Sequence, residues 1–326
     1  MKQRSEEGTL GIRSLLAALI LTPALLHTPA HAQSVTRVEN TVEIGCAFTT
    51  LRQGSDWYFP SGTPKALLWL QHGFAGTNDG MADTAQRFAA QGFLVFAPTL
   101  PSAHIYGCTL QNLGNNTDFL RNVAALFGNS ADPGAGLGRS FADARTKAGR
   151  AGLALPSALV FAGHSAGGEA VPYVTEQLHA GYPAAFSRVR GLVLFDPVKS
   201  VIGDNLGGSL GPLATTGLPI LAISSPPYLC NSNASGTVEL VDRLARPFLG
   251  VRLTTGSHID VEGASAPAVE RLACGTPQAK NVSALQTLAT GWASDFVTGS
   301  VTPGLYPGGA YYEGLRSAGT VQPLIS

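Results

Sequence analysis

The sequence predicts an α/β fold with a mostly parallel sheet of eight strands and helices on both of its faces. Short apolar runs bounded by Gly, Pro or Asn recur along the chain, and segments of helical periodicity lie between the later runs. This alternation is typical of a parallel sheet that is covered on both sides. The chain has 326 residues, of which 44% are hydrophobic and 13% charged, so it can bury a full core.

The balance of charged residues indicates which kinds of molecule the protein can bind. The 21 basic and 21 acidic residues give a formal net charge of zero, and Lys and Arg do not cluster. A nucleic-acid-binding protein normally carries a basic patch, so nucleic acid is not an expected partner. The composition favours a small-molecule, lipid or polymer substrate without net charge.

The apolar runs and periodic segments define the predicted elements. Strands are predicted at residues 42–48, 56–59, 66–70, 93–97, 158–162, 191–195, 218–223 and 248–254. Helices are predicted at residues 81–90, 117–127, 141–149, 168–180 and 282–296. The Gly- and Pro-rich stretch 131–138 is predicted to be a loop, and the tail 301–326 is expected to pack on the surface. These elements make one domain, residues 33–326, with no large lid.

The N-terminal segment is typical of a cleaved secretory signal peptide. Lys2, Arg4 and Arg13 provide a basic start, an apolar run covers residues 15–26, and Ala-His-Ala at 30–32 predicts cleavage after Ala32. About 20 apolar residues are needed to span a bilayer, so this shorter run does not favour a membrane anchor. The mature protein is therefore expected to be secreted or periplasmic, without a stable membrane anchor, and monomeric.

Four cysteines lie after the predicted cleavage site, and in an exported protein an even count favours disulfide bonds. Three pairings are possible. We favour Cys46–Cys108 and Cys230–Cys274, because each bond would pin loops at one end of the predicted sheet. No CxxC or clustered Cys/His spacing is present, so no metal site is expected.

The clearest chemical motif is Gly-His-Ser-Ala-Gly at residues 163–167. It follows the predicted strand 158–162 directly and precedes a predicted helix. A strand, Gly-x-Ser-x-Gly and a helix in this order are typical of a nucleophile elbow, a tight turn that exposes the serine at the carboxyl edge of a sheet. Ser165 is the predicted nucleophile.

A serine hydroxyl needs a base, and the base needs a carboxylate that orients it. His258 follows the last predicted strand, which agrees with the chain order nucleophile, acid, base. Asp196 directly follows the predicted strand 191–195, 31 residues after Ser165, and is the favoured acid. Asp260, two residues past His258, is the alternative acid.

The predicted site also needs donors for an oxyanion and a wall for the substrate. The amide of Ala166, directly after the nucleophile, is one expected donor, and the amide of Phe74 in the loop at 71–76 is the other. The Phe74 side chain is expected to line the acyl pocket. Tyr228, in the Pro-containing segment 224–235, is expected to bind substrate from one side. The predicted chemistry requires no cofactor.

Three short segments carry a resemblance to known families. Leu194-Phe195-Asp196-Pro197-Val198 resembles the acid segment of chlorophyllases and platelet-activating-factor acetylhydrolases. His72-Gly73-Phe74 and Gly163-His164-Ser165 resemble chlorophyllases and the bacterial cutinase-like polyester hydrolases, although the latter usually carry their acid after the seventh strand. The resemblance extends over the whole mature chain and implies an α/β-hydrolase fold with a Ser-His-Asp triad.

These observations predict an exported serine hydrolase that cleaves esters of uncharged, apolar substrates through an acyl-enzyme. An exported acyltransferase, a cutinase-like polyester hydrolase, and an amidase or peptidase would use the same triad. A non-catalytic binding module on the same fold is a further alternative, although such modules commonly lack the nucleophile. The sequence does not choose the natural substrate or the acyl acceptor.

Overall fold

One mixed sheet of nine strands runs through the part of the chain that the computed structural model describes, which is Met1 and residues 34–325. Apart from Met1, the predicted signal peptide and its cleavage site lie outside the described residues. The strands are β1 (Thr36–Cys46), β2 (Thr49–Phe59), β3 (Ala66–Gln71), β4 (Phe93–Pro98), β5 (Leu159–His164), β6 (Val189–Phe195), β7 (Ile220–Ser224), β8 (Gly250–Leu253) and β9 (Val321–Pro323).

The strand order is β1-β2-β4-β3-β5-β6-β7-β8-β9. The six strands from β4 to β8 in this order are parallel, whereas β1 and β2 on one edge and β9 on the other are antiparallel to their neighbours. The α/β class and the mostly parallel sheet are confirmed. The predicted number of eight strands is wrong, because β9 comes from the tail that was expected to pack on the surface. A strand of three residues is too short to show a period of its own.

The first hairpin is longer than predicted. Strands β1 and β2 pair over 11 residues each, from Thr36 opposite Phe59 to Cys46 opposite Thr49, whereas only 42–48 and 56–59 were predicted. Much of this edge hairpin is exposed, so polar residues are tolerated along it and the apolar pattern reveals only its buried parts.

Helices cover both faces of the sheet. They are α1 (Ala82–Ala90), α2 (Thr117–Gly128), α3 (Gly136–Lys147), α4 (Ala166–Gly181), α5 (Pro183–Phe186), α6 (Asn205–Ala214), α7 (Ser235–Leu244), α8 (Ala268–Cys274), α9 (Ala279–Thr298) and α10 (Ala310–Ser317). The prediction missed α5, α6, α7, α8 and α10, and it placed the start of α3 in a loop. Helix α6 contains three glycines and a proline, and it is held instead by burial of its leucines, Leu206, Leu210 and Leu213.

Two apolar layers sandwich the sheet. One layer packs α2, α3, α4, α6 and α7 against the face that carries Trp69 and Phe161. The other packs α1, α9 and α10 against the face that carries Leu68, Leu70 and Phe195. The central strands β3, β4 and β5 are buried along their whole length, which makes the sheet a rigid base for the loops at its carboxyl edge.

Both favoured disulfide pairings are confirmed. Cys46–Cys108 joins the end of β1 to the loop that follows β4, and Cys230–Cys274 joins the loop after β7 to the end of α8. Two disulfide bonds fit an extracellular or periplasmic protein. Within residues 34–325, none of the helices combines the length and the apolar character needed to cross a bilayer.

Candidate active site

Ser165 lies in the bend between β5 and α4. Its backbone has φ +55° and ψ −118°, a conformation that L-residues rarely adopt and that surrounding structure must hold in place. A Cβ atom at Gly163 would overlap the carbonyl oxygen of Gly167, and one at Gly167 would stand 2.5 Å from the carbonyl oxygen of His72. The two glycines are therefore required because backbone passes directly over them, and the result is the elbow that the motif predicted.

Asp196 occupies a second strained bend, directly after β6. Its φ is +40°, and its amide donates to the carbonyl oxygen of Ile223 at 2.8 Å. Hydrogen bonds connect this bend to the elbow: Ser165 N donates to Phe195 O at 3.0 Å, and Val198 N donates to Ser165 O at 3.1 Å. The predicted nucleophile and the predicted acid thus sit on adjacent, hydrogen-bonded turns.

Asp196 and His258, the predicted acid and base, are hydrogen-bonded to each other. His258 Nδ1 lies 2.7 Å from Asp196 Oδ2, and both side chains are almost completely buried. The carboxylate also accepts hydrogen bonds from Ser225 N at 2.9 Å, Ser225 Oγ at 2.5 Å and Asn231 Nδ2 at 3.2 Å. Because the carboxylate accepts from Nδ1, the imidazole carries its proton there, and Nε2 keeps a lone pair that can accept a proton.

The alternative acid is engaged elsewhere. Asp260 accepts hydrogen bonds from Ser257 N at 2.8 Å and from Gln278 N at 3.1 Å, so it closes the turn that carries His258. Burial raises the pKa of Asp260, and these two amides act in the opposite direction. The Nδ1 atom of His258 is paired with Asp196.

Ser165 Oγ and His258 Nε2 form no hydrogen bond within residues 34–325. The structure therefore brings the predicted base to the predicted acid, but not into a hydrogen bond with the predicted nucleophile. In proteins without substrate, catalytic hydrogen bonds are often long and tighten only in the complex.

His164, between Gly163 and Ser165, contacts both the main chain and the ring of His258. Its Nε2 lies 2.8 Å from the carbonyl oxygen of His258, and the ring centroids are 4.5 Å apart. A carbonyl oxygen only accepts, so Nε2 carries the proton and donates it. Burial is the main reason that the pKa of His164 is well below its usual value, with the charge of His258 contributing. The ring is thus a neutral donor.

Glu262 lies on the other side of His164. Its Oε1 is 3.8 Å from His164 Nδ1, and Glu262 Oε2 and His164 Nδ1 are both buried without hydrogen-bond partners in the described residues. Burial, together with contact from Glu270, raises the pKa of Glu262 to about 9. A protonated Glu262 carboxyl group can donate a proton, and the neighbouring Nδ1 of His164 carries a lone pair that can accept one.

The two backbone amides predicted to bind an oxyanion belong to Ala166 and Phe74. Ala166 is the first residue of α4, where helix amides lack an acceptor within the helix. The turn at Phe74 follows β3: Ala75 N donates to Ser102 Oγ at 2.8 Å and Gly76 N to Gly73 O at 3.2 Å, whereas the amide of Phe74 has no acceptor among residues 34–325. A Cβ atom at Gly73 would stand 3.3 Å from Ser165 Oγ, so this turn lies against the nucleophile.

His72 holds that turn in place. Leu100 N donates to His72 Nε2 at 2.9 Å, so the ring proton is on Nδ1, which lies 2.6 Å from Gly73 O. Burial lowers the pKa of His72 to about 4, while the bond to Gly73 acts in the opposite direction. A neutral imidazole with this tautomer therefore orients the Gly73 carbonyl group.

The two residues expected to contact substrate differ in placement. The Phe74 side chain is 53% exposed beside the site, which suits a pocket wall. Tyr228 is half-buried, and its hydroxyl accepts the amide proton of His258 at 2.5 Å and donates to Cys274 O at 3.0 Å. Both hydrogen bonds of the Tyr228 hydroxyl are thus made within the protein. That Tyr228 contacts substrate stays a prediction, and only its ring is free to do so.

Sequence reasoning missed the residues that support the pair: Ser225, Asn231, His164 in its contact with His258, and Glu262. Ser225 and Asn231 both lie in the segment 224–235, in which only Tyr228 was predicted to have a role, and Asn231 follows a cysteine. No periodicity or motif marks them, because their role depends on contacts with residues that are distant in sequence.

One group in the described residues comes within the range of a shared metal ion. The ligand atoms of Cys46, His104 and Cys108 lie within 4.8 Å of one another. The two sulfur atoms are bonded to each other in a disulfide and are not thiolates. This group lies outside the Ser165 site.

No protein-family model and no curated protein matches the chain.

Proposed function

We propose that this protein is an exported serine hydrolase that cleaves carboxylic esters of uncharged, apolar substrates. The observation that carries the proposal is the buried hydrogen bond of 2.7 Å between His258 Nδ1 and Asp196 Oδ2, which lies beside the strained elbow of Ser165. A tautomerically fixed imidazole next to a serine on a tight turn is the arrangement that serine hydrolases use for acyl transfer.

The architecture supports an α/β-hydrolase fold. The nucleophile follows β5 and precedes α4, the acid follows β6, and the base follows β8. This is the chain order of that fold, with every catalytic residue at the carboxyl edge of a parallel strand. The similarity of the acid segment to chlorophyllases and platelet-activating-factor acetylhydrolases agrees with this assignment.

The reaction begins when Ser165 Oγ attacks the carbonyl carbon of the ester and His258 Nε2 accepts the hydroxyl proton. The amides of Ala166 and Phe74 donate to the oxyanion of the tetrahedral intermediate, and Asp196 stabilises the imidazolium. His258 then protonates the leaving alcohol, and the acyl group stays on Ser165. Water attacks this acyl-enzyme with His258 as base, which releases the carboxylic acid and restores the serine.

The loops around Ser165 favour a substrate without charge. Residues 72–78, 99–116 and 225–234 contain no Asp, Glu, Lys or Arg. Lys199, in the loop after β6, is paired with Asp204 at 2.7 Å and with Glu239 at 3.0 Å. The exposed apolar side chains on these loops are Phe74, Ile105, Tyr106, Leu113, Val201, Ile202 and Leu229.

The test uses the mature protein and a series of p-nitrophenyl esters with short, long and aromatic acyl groups. Wild-type protein should release p-nitrophenol, and a fluorophosphonate probe should label Ser165, as identified by mass spectrometry of the peptide. Ser165→Ala should lose both reactions and keep a melting temperature within a few degrees of wild type. Absence of labelling and of turnover in the wild type would reject the proposal and favour a binding module.

The same assay separates hydrolysis from acyl transfer. With an added alcohol acceptor, a hydrolase releases mainly the free acid, whereas an acyltransferase forms mainly the new ester. Mass spectrometry of the products decides between them.

A further inference from the structure

The main chain of His258 is held by side chains at both of its polar groups. Its N–H donates to Tyr228 Oη at 2.5 Å, and its carbonyl oxygen accepts from His164 Nε2 at 2.8 Å. His164 ends β5, directly before Ser165, whereas Tyr228 lies in the loop after β7. The backbone of the base is therefore fixed between the elbow and the loop that supports the acid.

The Tyr228 hydroxyl also connects His258 to the Cys230–Cys274 disulfide bond. Its single proton goes to Cys274 O at 3.0 Å, and the same carbonyl oxygen accepts from Ser257 Oγ at 3.0 Å, so Cys274 is tied to the residue before His258 as well. Cys274 is covalently bonded to Cys230, two residues after Tyr228. The two hydrogen-bond partners of the hydroxyl, His258 and Cys274, thus both lie in the segment 230–274 that the disulfide bond closes.

The same loop reaches the acid. Asn231, next to Cys230, donates to Asp196 Oδ2 at 3.2 Å and to Ser225 Oγ at 3.0 Å. Asp196 is therefore connected to His258 in two ways. One is the direct hydrogen bond, and the other is a chain of contacts through Asn231, the Cys230–Cys274 disulfide bond and Tyr228.

We propose that Tyr228 is a positioning residue, whose hydroxyl sets the place of His258 relative to Asp196 and Ser165 with the Cys230–Cys274 disulfide as its anchor. This inference rests on the proposed function. His258 lies in a turn outside regular secondary structure, so these contacts fix its place. Misplacing a catalytic group by about 1 Å can cost on the order of 100-fold in rate. Burial raises the pKa of Tyr228, which keeps the hydroxyl protonated and able to donate.

The primary test is Tyr228→Phe, which deletes the hydroxyl and keeps the ring. We expect kcat for a soluble p-nitrophenyl ester to fall about 10- to 100-fold, KM to stay within about twofold, and the rate of fluorophosphonate labelling of Ser165 to fall in parallel. Tyr311→Phe is the matched control, because the Tyr311 hydroxyl, on α10, forms no hydrogen bond within residues 34–325. It should leave kcat, KM and labelling unchanged.

Two outcomes overturn the inference. Unchanged kcat in Tyr228→Phe removes the positioning role, and a rise in KM at constant kcat makes Tyr228 a substrate contact instead. If Tyr228→Phe does not fold, the pair Cys230→Ala and Cys274→Ala removes the anchor without changing the ring. The same loss of kcat at similar KM is then expected, and unchanged kcat overturns the inference.

A readout that needs no turnover separates this inference from the proposed function. The Nδ1 proton of His258, held by Asp196, should give a downfield proton NMR signal in the wild type that broadens or disappears in Tyr228→Phe and persists in Tyr311→Phe. Absence of ester turnover and of labelling in the wild type rejects the proposed function alone. An unchanged signal in Tyr228→Phe rejects the positioning role.

Discussion

Asp196 and His258 are 62 positions apart in the chain, and their side chains meet in a hydrogen bond of 2.7 Å. The carboxylate also accepts hydrogen bonds from Ser225 N, Ser225 Oγ and Asn231 Nδ2, so its place does not depend on the histidine alone. A buried, hydrogen-bonded carboxylate orients the imidazole, and in the proposed reaction it would stabilise the positive charge that develops on the ring.

The role of Asp196 is tested by Asp196→Asn. The amide can keep part of the hydrogen bonding, but it cannot fix the required tautomer or offset the charge of the imidazolium, so kcat should fall by about 10⁴-fold. Asp260→Asn is the matched comparison, because Asp260 is bonded to two backbone amides and not to the imidazole. Steady-state kinetics on both variants decide the acid, and a larger loss of kcat in Asp260→Asn would contradict this assignment.

The elbow predicts opposite effects for two Gly→Ala substitutions. A Cβ atom at Gly167 would lie 2.5 Å from His72 O and 2.7 Å from Gln71 O, and backbone cannot move aside cheaply. Gly167→Ala should therefore lower the free energy of unfolding by about 1–3 kcal/mol or more. Gly208→Ala, in α6, has no heavy atom within 4 Å of the new Cβ and should raise it by about 0.5–1 kcal/mol. Urea denaturation measures both, and equal effects would show that the elbow is not tight.

Glu262 predicts a dependence of stability on pH. Its pKa is raised from 4.5 to about 9 in the folded protein, mainly by burial, so the folded state binds more protons than the unfolded state in that interval. The stabilisation by the neutral carboxyl group is complete below pH 4.5 and is lost as the pH rises toward 9. The side chain in Glu262→Gln stays neutral at every pH, so the free energy of unfolding of this variant should increase relative to that of wild type as the pH rises. Denaturation curves across this interval test the sign, and parallel curves for the two proteins would contradict it.

The two disulfide bonds should contribute similarly to stability but differently to catalysis. They close segments with sequence separations of 62 and 44 residues. In the chain-entropy model each contributes about 4 kcal/mol to the free energy of unfolding. Replacing either pair by alanine should lower stability by a similar amount, measured by denaturant titration. Only removal of Cys230–Cys274 should lower kcat strongly, and an equal loss of kcat on removing Cys46–Cys108 would indicate a general effect of destabilisation.

Prediction of the fold worked where a short apolar run or an amphipathic helix carried its own pattern. The buried strands β3 and β5 were placed to within a residue or two, because they are apolar throughout and end at Gly or polar residues. Helix α6 was missed because its glycine-rich sequence hides the burial of its leucines, whereas α7 buries Thr237, Leu240 and Leu244 at helical spacing and carried a pattern that the prediction did not use. The strand β9 forms only because β8 offers an edge to pair with.

The sequence by itself determined the local chemistry of the candidate site. A serine between two glycines, set between an apolar strand and a helix, defines the elbow, because the tight bend needs those residue types in that order. Asp196 was found at a strand end for a similar local reason. Only the tertiary structure decided that Ser225 and Asn231 hold the acid and that Tyr228 holds the backbone of His258. These hydrogen bonds join loops that are distant in sequence, and a hydrogen bond between side chains depends on distances that only the packed sheet creates.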